Sequence, residues 1–119
     1  MLVHRVPYPP NKGDKIRSYH LLRYLAARYE VHLGAFVDDP ADSVHAEALR
    51  QWCSEVYLEP LGPGRSRMRM VAGLASGQPL SVAAYRSRAM RRWVHDTARA
   101  TNAAHFVAFS TAMAQYAEE

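Results

Sequence analysis

The residues best suited to chemistry fall in one short run, Asn11-Lys12-Gly13-Asp14-Lys15, between a proline cluster and a stretch with helical apolar spacing. A loop that opens into a helix presents free backbone N–H groups and the positive end of the helix dipole, a pairing that favours phosphate and other anions. Lys12 and Lys15 add cations to it. The run holds a single glycine, so it is neither the G-x-x-x-x-G-K-[ST] phosphate loop nor the G-x-G-x-x-G dinucleotide fingerprint. Its local chemistry also fits an ordinary capped loop with solvated lysines.

The histidines His4, His20, His32, His45, His95 and His105 never recur at a spacing of three or four, which a helical zinc site requires, so no metal is expected. His4 lies near the carboxyl end of the first apolar run and His105 at the start of the last, so in a parallel sheet the two should not meet. No Ser-His-Asp set follows from the spacing. Cys53 is the only cysteine, which excludes an internal disulfide and leaves a small buried hydrophobe as its expected role.

Charge is distributed unevenly. The net charge is +4, and between Glu59 and Asp96 there is no carboxylate, whereas Arg65, Arg67, Arg69, Arg86, Arg88, Arg91 and Arg92 all lie there. Arg65, Arg67 and Arg69 interleave with Met68, Met70, Val71 and Leu74, a composition that lets a short helix lie on an anionic membrane. Arg88, Arg92 and Arg99 fall opposite Met90 and Trp93, as on a solvated helix face. The same basic balance admits a small nucleic-acid-binding module. That alternative has no recognisable motif, and aromatics do not interleave with the arginines as stacking platforms.

The elements that must hold these residues follow from apolar periodicity. At 119 residues with 49% hydrophobic and 22% charged, the chain is expected to be one globular domain. No apolar run reaches the roughly 20 residues of a membrane span, and MLVHRVPYPP lacks signal-peptide features, so a cytoplasmic location is expected. Strands are predicted over residues 1–6, 31–37, 55–61 and 105–110. Helices are predicted from Asp14, as its cap, with Ile16, Tyr19, Leu22, Leu25 and Ala26 inward, and over residues 42–53, 65–76, 87–101 and from 111 onward. Gly77 and Pro79 end the third helix.

This alternation predicts an α/β fold, a doubly wound parallel sheet of about four strands in the order 3-2-1-4 with helices on both faces. Ligands in such sheets bind beyond the carboxyl ends of the strands at the switch in strand order. The rule selects the loop PYPPNKGDK and the segment FSTAMAQY. A non-catalytic flavodoxin-like module is a further alternative with this fold.

The run VHRVPYPPNKGDKIRSYHLLRYLA, then VHLGAFVDDPAD and FSTAMAQY, resembles the N-terminal half of the exosortase (PEP-CTERM) system-associated sugar transferases of glycosyltransferase family 4. The resemblance covers essentially the whole chain. It implies a GT-B architecture, two Rossmann-like domains across a cleft, with residues 1–119 as the acceptor-side domain and a donor domain outside them. It implies a retaining hexosyltransferase that moves sugar from a nucleotide-sugar donor to a lipid-linked or oligosaccharide acceptor in extracellular polysaccharide synthesis. The partners implied are that donor, that acceptor and the inner membrane surface, where Arg65, Arg67 and Arg69 would face lipid; no cofactor, metal or nucleic acid is implied. Asn11, Gly13, Asp14 and Lys15 carry over as cleft residues, Ser110 and Gln115 as acceptor-side residues, and no catalytic residue is assigned. The isolated chain is expected to be catalytically silent.

Overall fold

Residues 1–117 are described by a computed structural model of the chain. They form an α/β fold around an open parallel sheet of three strands, β1 (Leu2–Val3), β2 (His32–Val37) and β3 (Glu55–Pro60), in that spatial order. β2 pairs with β3 along its full length, from His32 opposite Glu55 to Val37 opposite Pro60, but with β1 only at Leu2–Gly34 and Val3–Ala35.

The expected fourth strand contracts to a single parallel bridge between Leu2 and Ala108. The Leu2 N–H donates to the Val107 carbonyl at 2.7 Å and the Phe109 N–H to the Leu2 carbonyl at 2.9 Å. The segment therefore lies where the expected order 3-2-1-4 put it, but it extends no ladder. β1 is too short to template one, because the chain leaves the sheet at His4 and Arg5, whose side chains turn to carboxylates beyond the edge.

Side chains alternate across β2, and each face of the sheet carries its own core. Val3, Leu33, Ala35 and Val37 join Leu22 of α1 (Gly13–Ala26), Leu49 of α2 (Ala46–Leu49) and Cys53 on one side. Leu2 and Phe36 join Met90 of α5 (Arg88–Thr101) with Met113 and Tyr116 at α6 (Thr111–Ala114) on the other. Gly34 allows this second layer to close. A Cβ there would lie 2.6 Å from Leu2 Cδ2, 2.7 Å from the Trp93 ring and 3.2 Å from Met90 Sδ.

Several helical expectations shift. α1 starts at Gly13 with Lys12 as its N-cap and no side-chain cap bond, so Asp14 is free to serve elsewhere. Its buried positions are Lys15, Ser18 and Leu22, and Ile16 stays 41% exposed. The expected helix over 42–53 divides into a 3-10 helix (Pro40–His45) and α2, since Pro40 at the start favours the tighter turn and the Asp39 carboxylate accepts the Ala41 N–H. Residues 63–75 form α3 (Pro63–Ala75), and a helix not expected, α4 (Leu80–Ala84), packs back on it; Gly73 faces the Ala83 methyl, where a Cβ would come within 2.5 Å. Gly77 at φ 70° follows α3 as its expected glycine stop, and the Ser87 hydroxyl caps α5 by accepting the Met90 N–H at 3.1 Å. The helix expected from residue 111 runs only to Ala114, and its continuation over 118–119 lies outside the described residues.

Candidate functional site

The carboxyl edge of the sheet gathers charge because β1 and β2 are followed there by polar residues. β1 delivers His4 and Arg5, β2 delivers Asp38, and the first turn of α1 delivers Asp14. Arg5 bridges two carboxylates, with Nε 2.9 Å from Asp38 Oδ2 and Nη1 3.5 Å from Asp14 Oδ2. His4 Nε2 lies 3.4 Å from the same Asp14 oxygen. Burial tends to raise the Asp14 carboxyl, but the Arg5 guanidinium, the N–H groups at the start of α1 and His4 together hold it below its ordinary value.

Aromatic rings enclose this group. The His4 ring is parallel to Phe109 at 6.3 Å between centroids and edge-on to Tyr85 at 5.9 Å. Burial, then the Asp38 charge, pushes the Tyr85 hydroxyl up against a partial offset from Arg5. Two polar atoms here are buried without a hydrogen-bond partner, His4 Nδ1 and Ser110 Oγ. Such atoms cost about 1–3 kcal/mol each when nothing meets them. With Nε2 facing the Asp14 carboxylate, a neutral His4 ring keeps its lone pair on Nδ1. That atom can accept from a hydroxyl, and the hydroxyl of Ser110, which follows Phe109 in the chain, can donate or accept.

The expected site residues separate into those that reach this edge and those that do not. Asp14 and Ser110 belong to it. Asn11 and Gly13 are exposed on the adjoining loop, where the Asn11 N–H donates to the Pro9 carbonyl at 2.9 Å and a Gly13 Cβ would meet nothing within 4 Å. Lys15 turns the other way. Its Nζ lies 2.6 Å from Asp42 Oδ2, with the residues only 4% and 6% exposed, so its charge serves a buried ion pair and not an anion in the cleft.

Gln115 is likewise occupied by structure, its Nε2 donating to the Val82 carbonyl at 3.0 Å and the Ala112 carbonyl at 2.7 Å. Arg65 and Arg67 are exposed on α3, whereas Arg69 is half-buried and close enough to Tyr116 to act on its hydroxyl. Arg5, Asp38 and Tyr85 are site residues that sequence reasoning missed. Arg5 falls inside the strand expected over residues 1–6, and Asp38 and Tyr85 lie outside every expected element, so no local pattern marks them.

Among the described residues no group of three or more His, Cys, Asp or Glu side chains could hold a metal ion, and no helix is long and apolar enough to cross a membrane. Comparison with protein-family models, curated proteins and solved structures returns no match. The functional reading therefore rests on the site itself and on the sequence resemblance.

Proposed function

We propose that this chain is the acceptor-side, doubly wound domain of a GT-B glycosyltransferase, and that its sheet edge binds the hydroxyl-bearing acceptor of a hexosyl transfer. The observation that carries the reading is the Asp14–His4 pair, with His4 Nδ1 and, one residue past the Phe109 ring that stacks on His4, Ser110 Oγ both buried and unpartnered. A sugar hydroxyl supplies the complement that both atoms lack. Asp14 orients the ring and stabilises positive charge on it, so His4 is suited to accept a hydrogen bond or a proton from the attacking hydroxyl. The bridge that residues 107–109 make on the side of β1 away from β2 supports a switch in strand order at this edge, where parallel sheets receive ligands. The donor is a nucleotide sugar held mainly by a second domain. With Lys15 tied to Asp42 and the first N–H groups of α1 turned to the Asp14 carboxylate, the exposed Lys12 is the cation of the loop that can approach its diphosphate.

Heteronuclear NMR titration of the chain with an alkyl glycoside, beside calorimetry with uridine and guanosine diphosphate sugars, tests this. The glycoside should perturb His4, Asp14 and Ser110, and Ser110→Ala should weaken it severalfold; the nucleotide sugars should bind weakly or not at all. A micromolar nucleotide-sugar affinity, about −8 kcal/mol, would place the donor site in this domain and overturn the assignment. So would a glycoside that leaves the sheet edge unmoved.

A further inference from the structure

We infer that the outer face of α3 is a docking surface for an anionic lipid bilayer. α3 rests on α4 through Gly73 and presents its other side to solvent, with Met68 74%, Val71 67% and Leu74 65% exposed. At 3.6 residues per turn, Met68, Val71 and Ala75 form one stripe along the middle of that side, with Leu74 next to it. Arg65 and Arg67 fall on opposite flanks of the stripe, and neither makes a hydrogen bond or ion pair within the described residues. Leu80, at the start of α4, is also 45% exposed.

Charge complementarity chooses the occupant. No carboxylate lies in sequence between Glu59 and Asp96, so α3 brings its arginines to this face with no acidic residue of its own. An apolar stripe flanked by an arginine on each side matches acyl chains lying below a layer of anionic headgroups, with the long arginine side chains reaching back to the phosphates. A nucleic acid would meet those arginines, but it has no use for exposed valine, leucine and methionine and would find no aromatic platform on this face. Arg69 is no part of the surface, because it lies on the inward side of α3 near Tyr116. The inference stands without the transferase reading, since it uses none of the residues of the sheet edge.

Co-sedimentation of the full chain with phosphatidylcholine vesicles, and with vesicles that also contain phosphatidylglycerol, tests the surface. Binding to the anionic vesicles only, weakening with salt, is expected. Arg65→Glu with Arg67→Glu should lower it roughly tenfold or more, and Val71→Ser with Leu74→Ser should lower it comparably. The charge-matched control Arg17→Glu, on α1, with Arg28→Glu, in the turn after it, should bind nearly as the parent does. Because the α3 residues are exposed, circular dichroism of their variants should be unchanged. A polarity-sensitive dye on Met68→Cys should shift to the blue on anionic vesicles, with Cys53 buried and unlabelled. Absence of vesicle binding overturns the proposal, as does equal loss in the control and the α3 variants. Tighter binding to duplex DNA than to vesicles, lost in the Arg65 and Arg67 variant, overturns it in favour of nucleic acid.

Discussion

Lys15 shows how one side chain's surroundings reverse its meaning. In the sequence it is a cation in the first turn of a helix, where the macrodipole disfavours it, and an anionic ligand is the simplest way to make sense of it. In the fold its stem runs inward and Asp42 meets the ammonium at 2.6 Å. Lys15→Ala should therefore destabilise the chain by about 3–5 kcal/mol in urea unfolding, because it strands a buried carboxylate. Lys15→Met with Asp42→Leu should recover most of that loss. Cys53 presents the opposite case, a residue whose type already announces its role. Burial pushes its thiol up from 9.0 to about 11, and the folded chain should resist maleimide at neutral pH while the urea-unfolded chain reacts at once.

Among the elements, the layer of α5 over the sheet depends on the missing side chain at Gly34. Gly34→Ala places a methyl against Leu2 and the Trp93 ring, both held in the core, and should cost about 1–3 kcal/mol with the near-ultraviolet signal of Trp93 altered. Gly13 behaves differently. Its backbone is at an ordinary φ and a Cβ would meet nothing within 4 Å, so Gly13→Ala should raise stability by about 0.4–1 kcal/mol in thermal unfolding. Both glycines look alike in the sequence. Only the neighbours brought from distant elements distinguish a glycine that close packing demands from one that merely starts a helix.

Over the whole molecule, β2 is the element buried on both faces and paired on both edges. Its amides from Leu33 to Val37 should exchange slowest, and those of residues 103–107, exposed or nearly so, fastest, in native-state hydrogen exchange. The accessible surface of 7241 Å² exceeds the roughly 6,500 Å² expected for a compact chain of this mass, and the outward face of α3 contributes to the surplus. Stability should fall as the pH rises above about 9. Cys53, and Tyr116 with its hydroxyl pushed from 10.0 to about 12 chiefly by burial, keep protons in the folded state that the unfolded chain releases sooner, so rising pH favours unfolding. Chemical denaturation between pH 7 and 11 measures that slope, and a flat profile would show both groups to be freely solvated.

The sequence alone determined the α/β alternation, the parallel pairing and the spans of β2, β3 and α5, because uninterrupted apolar runs and strong helical spacing are local properties that burial rewards wherever the element lands. It also located the carboxyl edge and, through Asp14 and Ser110, two of the residues there. Tertiary structure decided the rest. The pairing of Arg5 with Asp38, of His4 with Asp14 and of Lys15 with Asp42 joins residues whose separation in the chain carries no periodic signal. The fourth strand's reduction to one bridge depends on how soon β1 turns away toward those charges. The outward stripe of α3 became defined only when Gly73 met Ala83, since a helix's buried side is chosen by its partner as well as by its own composition.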